Sequence, residues 1–320
     1  MIPRLTILTA TAFLLASPTL AGEVNVYSYR QPELIRPLTD AFTAATGIQV
    51  NVAYLDKGMV ERLRAEGARS PADVILTVDI SRLAKAVEAG VTQAVQSEIM
   101  SANVPAQYRD PQGRWWGLTT RARVIYASKS RVADDEITTY EDLADPKWAG
   151  RICSRSGTHA YSTGLTSAVI KHLGEAGAKD WLQGLKDNLA RRPQGNDRAQ
   201  IKAIWAGQCD ISLGNTYYMG EMLQDPEQAA WAGSVRILFP KFEDGGTHVN
   251  VSGMAMTKAA PNREEALQFM EFLTSPRAQK IYADANFEYP VAPDVASSPL
   301  VASWGSFVAD EVNLMELAGF

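Results

Sequence analysis

The sequence predicts an α/β fold of two lobes with a ligand cleft between them. Strand-like and helix-like segments alternate along the first ninety residues, a pattern typical of a largely parallel sheet with helices on both faces. The mature chain, roughly 300 residues long, is also long enough for two lobes, because single cores stop growing at about 250 to 300 residues. The chain leaves the first α/β unit and later returns to it, which predicts two lobes. The junction between two such lobes is a preferred ligand site, so we expect a cleft there.

Local patterns define the elements of the first lobe. Strands are expected at 23–27, 48–54 and 72–77, and helices at 31–46, 59–66 and 80–88. The first helix begins near Pro32, ends at Gly47 and carries Leu34, Leu38 and Phe42 at helical spacing. Ligands of such sheets bind beyond the carboxyl ends of the strands, so we expect function in the loops that follow them.

A second α/β unit begins after a strand-like segment at 123–127. The segments that follow are strands at 151–154 and 210–213, helices at 161–173, 178–188 and 198–206, a strand at 251–257, and helices at 262–273 and 276–285. We therefore predict an N-lobe of residues 22–121 and 246–296, and a C-lobe of residues 122–245 and 297–320.

The first 21 residues have the pattern of a cleaved signal peptide. Arg4 precedes an apolar run at 5–15, and small residues lead to Ala21, a run too short for a stable membrane anchor. No cysteine lies near the cleavage point, so we expect a free, soluble, monomeric protein of the periplasm. The formal charge of -5 argues against nucleic acid as a partner.

Export also determines how the two cysteines are interpreted. An oxidising compartment favours a disulfide between Cys153 and Cys209, with two buried thiols as the alternative. Without a CxxC spacing the pair is weak evidence for zinc.

Three tyrosines follow these cysteines. Cys153 precedes Tyr161 by the same distance at which Cys209 precedes Tyr217, and Tyr218 is adjacent. A disulfide would therefore bring three phenols near one point. Three phenolates neutralise a ferric ion, and only a strongly charged cation displaces their protons.

An anion is expected to complete the coordination. Arginine captures planar carbonate-like groups with two parallel hydrogen bonds. The candidates are Arg30 with Gln31 in the first loop, and Arg121 and Arg123 at the start of the second unit.

The simpler interpretation is that the tyrosines are packing residues. Adjacent tyrosines on a helix point about 100° apart, so Tyr217 and Tyr218 could be one core and one surface residue. His159 is either a ligand or a polar loop residue beside the site.

Several blocks together resemble the ferric-iron-binding periplasmic proteins of bacterial ABC importers, along essentially the whole mature chain. The blocks lie at 26–32, 71–74, 117–124 and 214–218. The resemblance implies a type II periplasmic-binding-protein fold, with iron carried to an inner-membrane ABC permease and its cytoplasmic ATPase. It assigns the iron ligands to Tyr161, Tyr217 and Tyr218, and the main anion-holding residue to Arg121.

The first loop departs from several relatives. Where those proteins have an iron-donating histidine or tyrosine, Gln31 and Pro32 stand here. The resemblance therefore implies an exogenous anion, carbonate or bicarbonate, held by Arg121, Arg30 and Gln31. Tyr29 is an alternative ligand from the first lobe.

Two other functions compete with ferric binding. A binding protein for a polyamine or an oxyanion would use the same architecture, although a polyamine would favour carboxylates and aromatic faces. An enzyme using Asp73 or Asp79 with His159 is disfavoured, because no GxSxG, HExxH, P-loop or triad spacing is present. We therefore predict a binding protein rather than an enzyme.

Overall fold

The fold is taken from a computed structural model that describes residues 22–318. Its strands are β1 (Glu23–Ser28), β2 (Gln49–Tyr54), β3 (Val74–Thr77), β4 (Trp116–Ser128), β5 (Ile152–Cys153), β6 (Ile211–Asn215), β7 (Val235–Leu238), β8 (Val249–Met256) and β9 (Tyr289–Pro290). The longer helices are α1 (Pro32–Thr46), α2 (Met59–Glu66), α3 (Ile80–Glu88), α5 (Ala160–Asp187), α6 (Asp197–Trp205), α7 (Tyr217–Gln224), α9 (Arg263–Thr274) and α10 (Pro276–Asn286). The short helices are α4 (Glu98–Asn103), α8 (Ala229–Gly233), α11 (Pro299–Ala302) and α12 (Leu314–Leu317).

The described strands form one continuous sheet. Its order is β2-β1-β3-β8-β4-β6-β5, and β7 and β9 also pair with β4. Pairing is parallel for β1 with β2, β1 with β3, and β5 with β6. Every pair that includes β4 or β8 is antiparallel, so the expectation of mostly parallel pairing is wrong for these two strands. The connections from β3 to β4 and from β4 to β6 contain helices, so no short turn beside these strands sets their direction.

Strand β4 joins the two halves of the sheet. All of its thirteen residues are buried, and its first part, up to Ala122, pairs with β8. From Arg123 onwards its partners are β6 and β7. The change of partner falls between residues 122 and 123, one residue after the predicted lobe boundary. The lobe division itself stays a prediction.

The predicted helices and strands are found with small shifts. The two helices expected at 161–173 and 178–188 both lie within α5, which is divided where Gly174 adopts φ 70° and ψ 172°. Such a backbone is open to glycine and strained for other residues. Most of the elements that the patterns missed are short: α4 has six residues, α8 has five and β7 has four, too few to show a clear period.

Among residues 22–318, no helix has the length and apolar character required to cross a membrane. The predicted signal peptide, residues 1–21, lies outside the described residues, as do residues 319–320 of the predicted C-lobe.

The predicted disulfide is present. Cys153 is the last residue of β5, and Cys209 lies just before β6, which pairs in parallel with β5. The Cα atoms of the two cysteines are 5.8 Å apart. Both residues are buried.

We expect replacement of both cysteines by alanine to lower the free energy of unfolding by about 4 kcal/mol, because the bond closes a long loop in the unfolded chain. Urea unfolding of the oxidised protein and the double variant measures this difference. Equal unfolding midpoints would contradict the prediction.

Candidate metal centre

A cavity of about 560 Å³ contains most of the predicted site residues. Its lining includes Tyr29, Arg30, Gln31, Arg121, Tyr161, Tyr217 and Tyr218, together with Tyr54, Arg198, Glu221 and Glu288. These residues come from both predicted lobes. The phenols, the guanidinium groups and the first loop therefore face one space.

The three predicted tyrosines converge in this cavity. The Tyr217 hydroxyl donates to the Tyr161 hydroxyl at 3.1 Å, although the residues are 56 positions apart. The rings of Tyr217 and Tyr218 are 4.3 Å apart between centroids. Tyr217 is buried and Tyr218 is half-buried, but both line the cavity, so the pair does not divide into a core and a surface residue.

Local structure places these phenols. Tyr161 and Tyr217 lie in the first turns of α5 and α7, and these helices follow the disulfide-linked strands β5 and β6. His159 caps α5, since its Nδ1 accepts from the backbone N of Tyr161 at 3.1 Å. Thr216 precedes α7, and its side chain makes no capping hydrogen bond.

The pKa values of the phenols are shifted upward. Burial raises the pKa of Tyr217 well above its ordinary value, and the nearby phenols Tyr161 and Tyr218 raise it further. Burial, followed by Tyr161, raises the pKa of Tyr218 to about 12. At neutral pH these two side chains are protonated in the metal-free protein, so a ligand that uses them as phenolates must displace the protons.

A cationic cluster lies beside Tyr161. The Arg123 and Arg155 guanidinium groups both pair with the fully buried Asp197, at 2.7 and 2.8 Å. The Arg155 guanidinium lies 5.1 Å from the centroid of the Tyr161 ring, and Arg123 lies 6.0 Å from it. Two cations and one carboxylate leave one net positive charge, which favours negative charge on the phenols.

Arg121 carries the clearest sign of an anion site. Its side chain is 1% exposed, and Nη1 donates to Ser252 Oγ at 3.1 Å. Within residues 22–318, Nε and Nη2 have no hydrogen-bond partner and no carboxylate pairs with the group. Buried donors without partners are costly, and an anion in the cavity would satisfy them.

Arg30, unlike Arg121, forms an ion pair with a buried carboxylate. Its Nη2 pairs with Glu288 at 2.7 Å and donates to Ser252 Oγ at 2.8 Å. Burial alone would raise the pKa of Glu288, but the positive charges of Arg30 and Arg121 outweigh burial and lower it. Glu288 already balances much of the positive charge of Arg30. The anion-binding role of Arg30 stays a prediction.

Arg123 and Gln31 are also located by the structure. Arg123 is buried and engaged with Asp197 and Asn215, which suits a role beneath the phenols more than direct capture of an anion. Gln31 is exposed and lines the cavity, so its amide can reach a bound group. Asp73 and Asp79 bind backbone nitrogens of neighbouring segments, as loop and helix caps do.

Tyr29 lines the cavity, but its hydroxyl is committed elsewhere. It accepts from the backbone N of Met59 at 3.1 Å, and its ring packs against the Arg82 guanidinium at 4.0 Å. We therefore expect Tyr29→Phe to leave ferric affinity and the visible spectrum of the loaded protein unchanged. Spectrophotometric titration checks this, and a shifted absorption band would place Tyr29 among the ligands.

Glu288, Asp197 and Arg155 could not be identified from the sequence. Each is buried and paired across 42 to 258 residues, so no local spacing reveals it. The available signal was electrostatic, because arginines are rarely fully buried unless they are paired. In residues 22–318, no group of three or more His, Cys, Asp or Glu side chains is placed to hold a metal.

Comparison with known proteins is consistent with this geometry. A family model described as bacterial extracellular solute-binding protein matches residues 69–305. Iron uptake protein A1 of Synechocystis is 48% identical over 94% of this chain and 84% of its own length.

Two solved structures share the fold. The ferric iron-binding protein A of Mannheimia haemolytica, in an open conformation, aligns with a TM-score of 0.90 at 49% identity, over 93% of this chain and 95% of that one. Trichodesmium IdiA (FutA), in complex with iron and citrate, aligns at 0.89 and 43% identity over the same shares. The predicted binding-protein architecture is confirmed.

Proposed function

The chain belongs to the bacterial extracellular solute-binding protein family, and from this premise we propose that it captures ferric iron through Tyr161, Tyr217 and Tyr218. The observation that carries the proposal is the contact of the Tyr161 and Tyr217 hydroxyls at 3.1 Å. The ring of Tyr218 packs at a tilt against that of Tyr217 in the same cavity. The relatives support iron as the ligand. The Synechocystis protein is named for iron uptake, the Mannheimia protein is named as a ferric iron-binding protein, and the Trichodesmium protein was solved with iron and citrate.

Charge balance favours a trivalent cation. Three phenolates cancel the charge of a ferric ion, so the complex can be buried without a net charge. A polyamine would meet guanidinium groups in the inner part of the cavity, because Glu221 and Glu288 are already paired with Arg198 and Arg30. The other two carboxylates of the lining, Glu33 and Asp56, are exposed. Iron therefore fits this lining better than the alternative organic cation.

A synergistic anion completes the proposed site. Three phenolates leave open positions on an octahedral ferric ion, and carbonate or bicarbonate would fill them. The unpartnered Nε and Nη2 of Arg121 supply the two-pronged donor geometry that a carbonate requires. Gln31 and Arg30 would contribute further donors from the first loop.

The proposed role is that of a periplasmic carrier. The two predicted lobes would close on iron by a hinge motion, as is usual for such folds, and the loaded monomer would dock on an inner-membrane ABC permease driven by a cytoplasmic ATPase. The protein would perform no chemistry on its cargo, in keeping with a family of solute-binding proteins.

Ferric loading with and without bicarbonate tests the proposal. Phenolate-to-iron charge transfer should colour the protein, and bicarbonate should deepen or stabilise the band. Arg121→Gln should still bind iron, but with the effect of bicarbonate lost. Ferric citrate should raise the melting temperature, whereas spermidine and sulfate should not. A colourless protein after ferric loading would overturn the proposal.

A further inference from the structure

Glu288 is a buried carboxylate in the wall of the iron cavity. Its exposure is 0%, and it lines the cavity beside Arg30 and Arg121. One oxygen pairs with Arg30 at 2.7 Å, and the other accepts from Ser252 at 3.2 Å and from Thr119. The carboxylate is therefore fully engaged, and it is built into the wall rather than free to bind a cation.

A constrained backbone holds Glu288 in place. The preceding residue, Phe287, ends α10 in the left-handed region at φ 53° and ψ 34°, where non-glycine residues are uncommon. Its ring packs so closely on Gly220 of α7 that a Cβ at that position would overlap it. Backbone strain of this kind persists where the surrounding structure enforces it, and it clusters at functional sites. The contact between Phe287 and Gly220 therefore links the backbone at Glu288 to α7, the helix that carries Tyr217 and Tyr218.

The charges of this wall can be counted. Arg30 and Arg121 contribute two positive charges, and Glu288 removes one of them. Three buried donors then lack partners within the described residues, namely Arg30 Nε, Arg121 Nε and Arg121 Nη2. The wall therefore presents a few convergent donors with one net positive charge.

We propose that Glu288 sets the anion specificity of this site, limiting it to small anions of low charge such as bicarbonate or carbonate. The inference rests on the proposed ferric function. A polyanion such as citrate or pyrophosphate would bring extra negative charge close to the buried Glu288 carboxylate. Like charges repel strongly where water is excluded, and such repulsion is a common means of rejecting the wrong ligand.

Glu288→Gln keeps the size of the side chain and removes its charge. Iron-free protein in bicarbonate-depleted buffer is mixed with one equivalent of ferric chloride and titrated with bicarbonate, citrate or pyrophosphate, and visible absorbance reports loading. The measured quantity is the ratio of the half-saturating concentrations of two anions. Chelation of free iron by citrate is common to all variants, so it cancels when their ratios are compared.

Two control variants separate charge from structure. Glu288→Asp retains the charge and should keep the wild-type ratio. Glu33→Gln removes an exposed carboxylate from the lining of the same cavity, and it should leave the ratio unchanged. Glu288→Gln should shift the ratio towards citrate and pyrophosphate by about tenfold or more.

Each result decides the proposal. An unmoved ratio in a folded Glu288→Gln protein, or an equal shift in Glu33→Gln, would overturn it. Colourless wild-type protein with every anion would overturn the ferric function and this inference with it. If Glu288→Gln does not fold, Arg30→Gln serves instead, because the wall then carries no net charge. Loading should then require about tenfold more bicarbonate, and an unchanged requirement would contradict the proposal.

Discussion

Tyr217→Phe is expected to abolish ferric loading at neutral pH. Tyr217 is the most buried of the three phenols and is hydrogen-bonded to Tyr161. Its loss would leave the ferric ion with an uncompensated positive charge in a cavity lined by arginines, and burying such a charge is costly. Losing an outer-shell partner of a metal ligand costs about 10- to 100-fold in affinity, so loss of a ligand should cost more than about a hundredfold.

Visible titration with ferric ion measures this effect, and far-UV circular dichroism confirms that the variant is folded. Tyr54→Phe is the matched control, because Tyr54 lines the same cavity but is 43% exposed. It should load iron as the wild type does. Normal loading by Tyr217→Phe would remove the phenol from the coordination sphere and with it the main support for the proposed site.

The fold was largely predictable because its elements carry local signals. The helices over 59–66 and 80–88 are found with the predicted bounds, since apolar spacing and flanking residues define each of them. Sheet pairing was less predictable. The antiparallel partners of β4 and β8 are distant in sequence, and no spacing within either strand encodes the direction of its neighbour.

The convergence of the phenols was predictable for a different reason. Their equal distances from Cys153 and Cys209 linked two segments that a disulfide would bring together, and the structure places the phenols of Tyr161 and Tyr217 in contact. The supporting charges had no such signal. Asp197 and Glu288 resemble many other acidic residues in the sequence, and only the fold places them beside buried arginines.

The buried arginine–carboxylate pairs explain how one cavity can hold several arginines and also, in the proposed ferric complex, three phenolates. Asp197 offsets part of the charge of Arg123 and Arg155, and Glu288 offsets Arg30. Each group keeps one net positive charge, one beside Tyr161 and one beside the anion donors of Arg121. In the proposed complex the first charge favours the phenolates and the second holds the anion, so the two ligand sets do not compete for the same arginine.

Acidification is expected to release the iron steeply. Burial holds the pKa of Tyr218 at about 12 and that of Tyr217 well above its ordinary value, so these two phenols are protonated throughout the neutral range in the metal-free protein. Ferric binding must therefore expel protons, and a fall in pH returns them and favours the empty protein. With three protons displaced, apparent affinity should fall by up to about a thousandfold for each pH unit.

Two measurements check this prediction. Competition with a chelator of known protonation between pH 7.5 and 6.5 gives the slope of affinity against pH. A pH-stat titration with a ferric chelate, corrected for the protons that the released chelator takes up, counts the protons displaced per ferric ion, with three expected from the phenols and a fourth when bicarbonate is bound as carbonate. Tyr54→Phe should release the same number as the wild type. Release of one proton or none, or an affinity that does not change over this range, would mean that the phenols do not bind iron as phenolates.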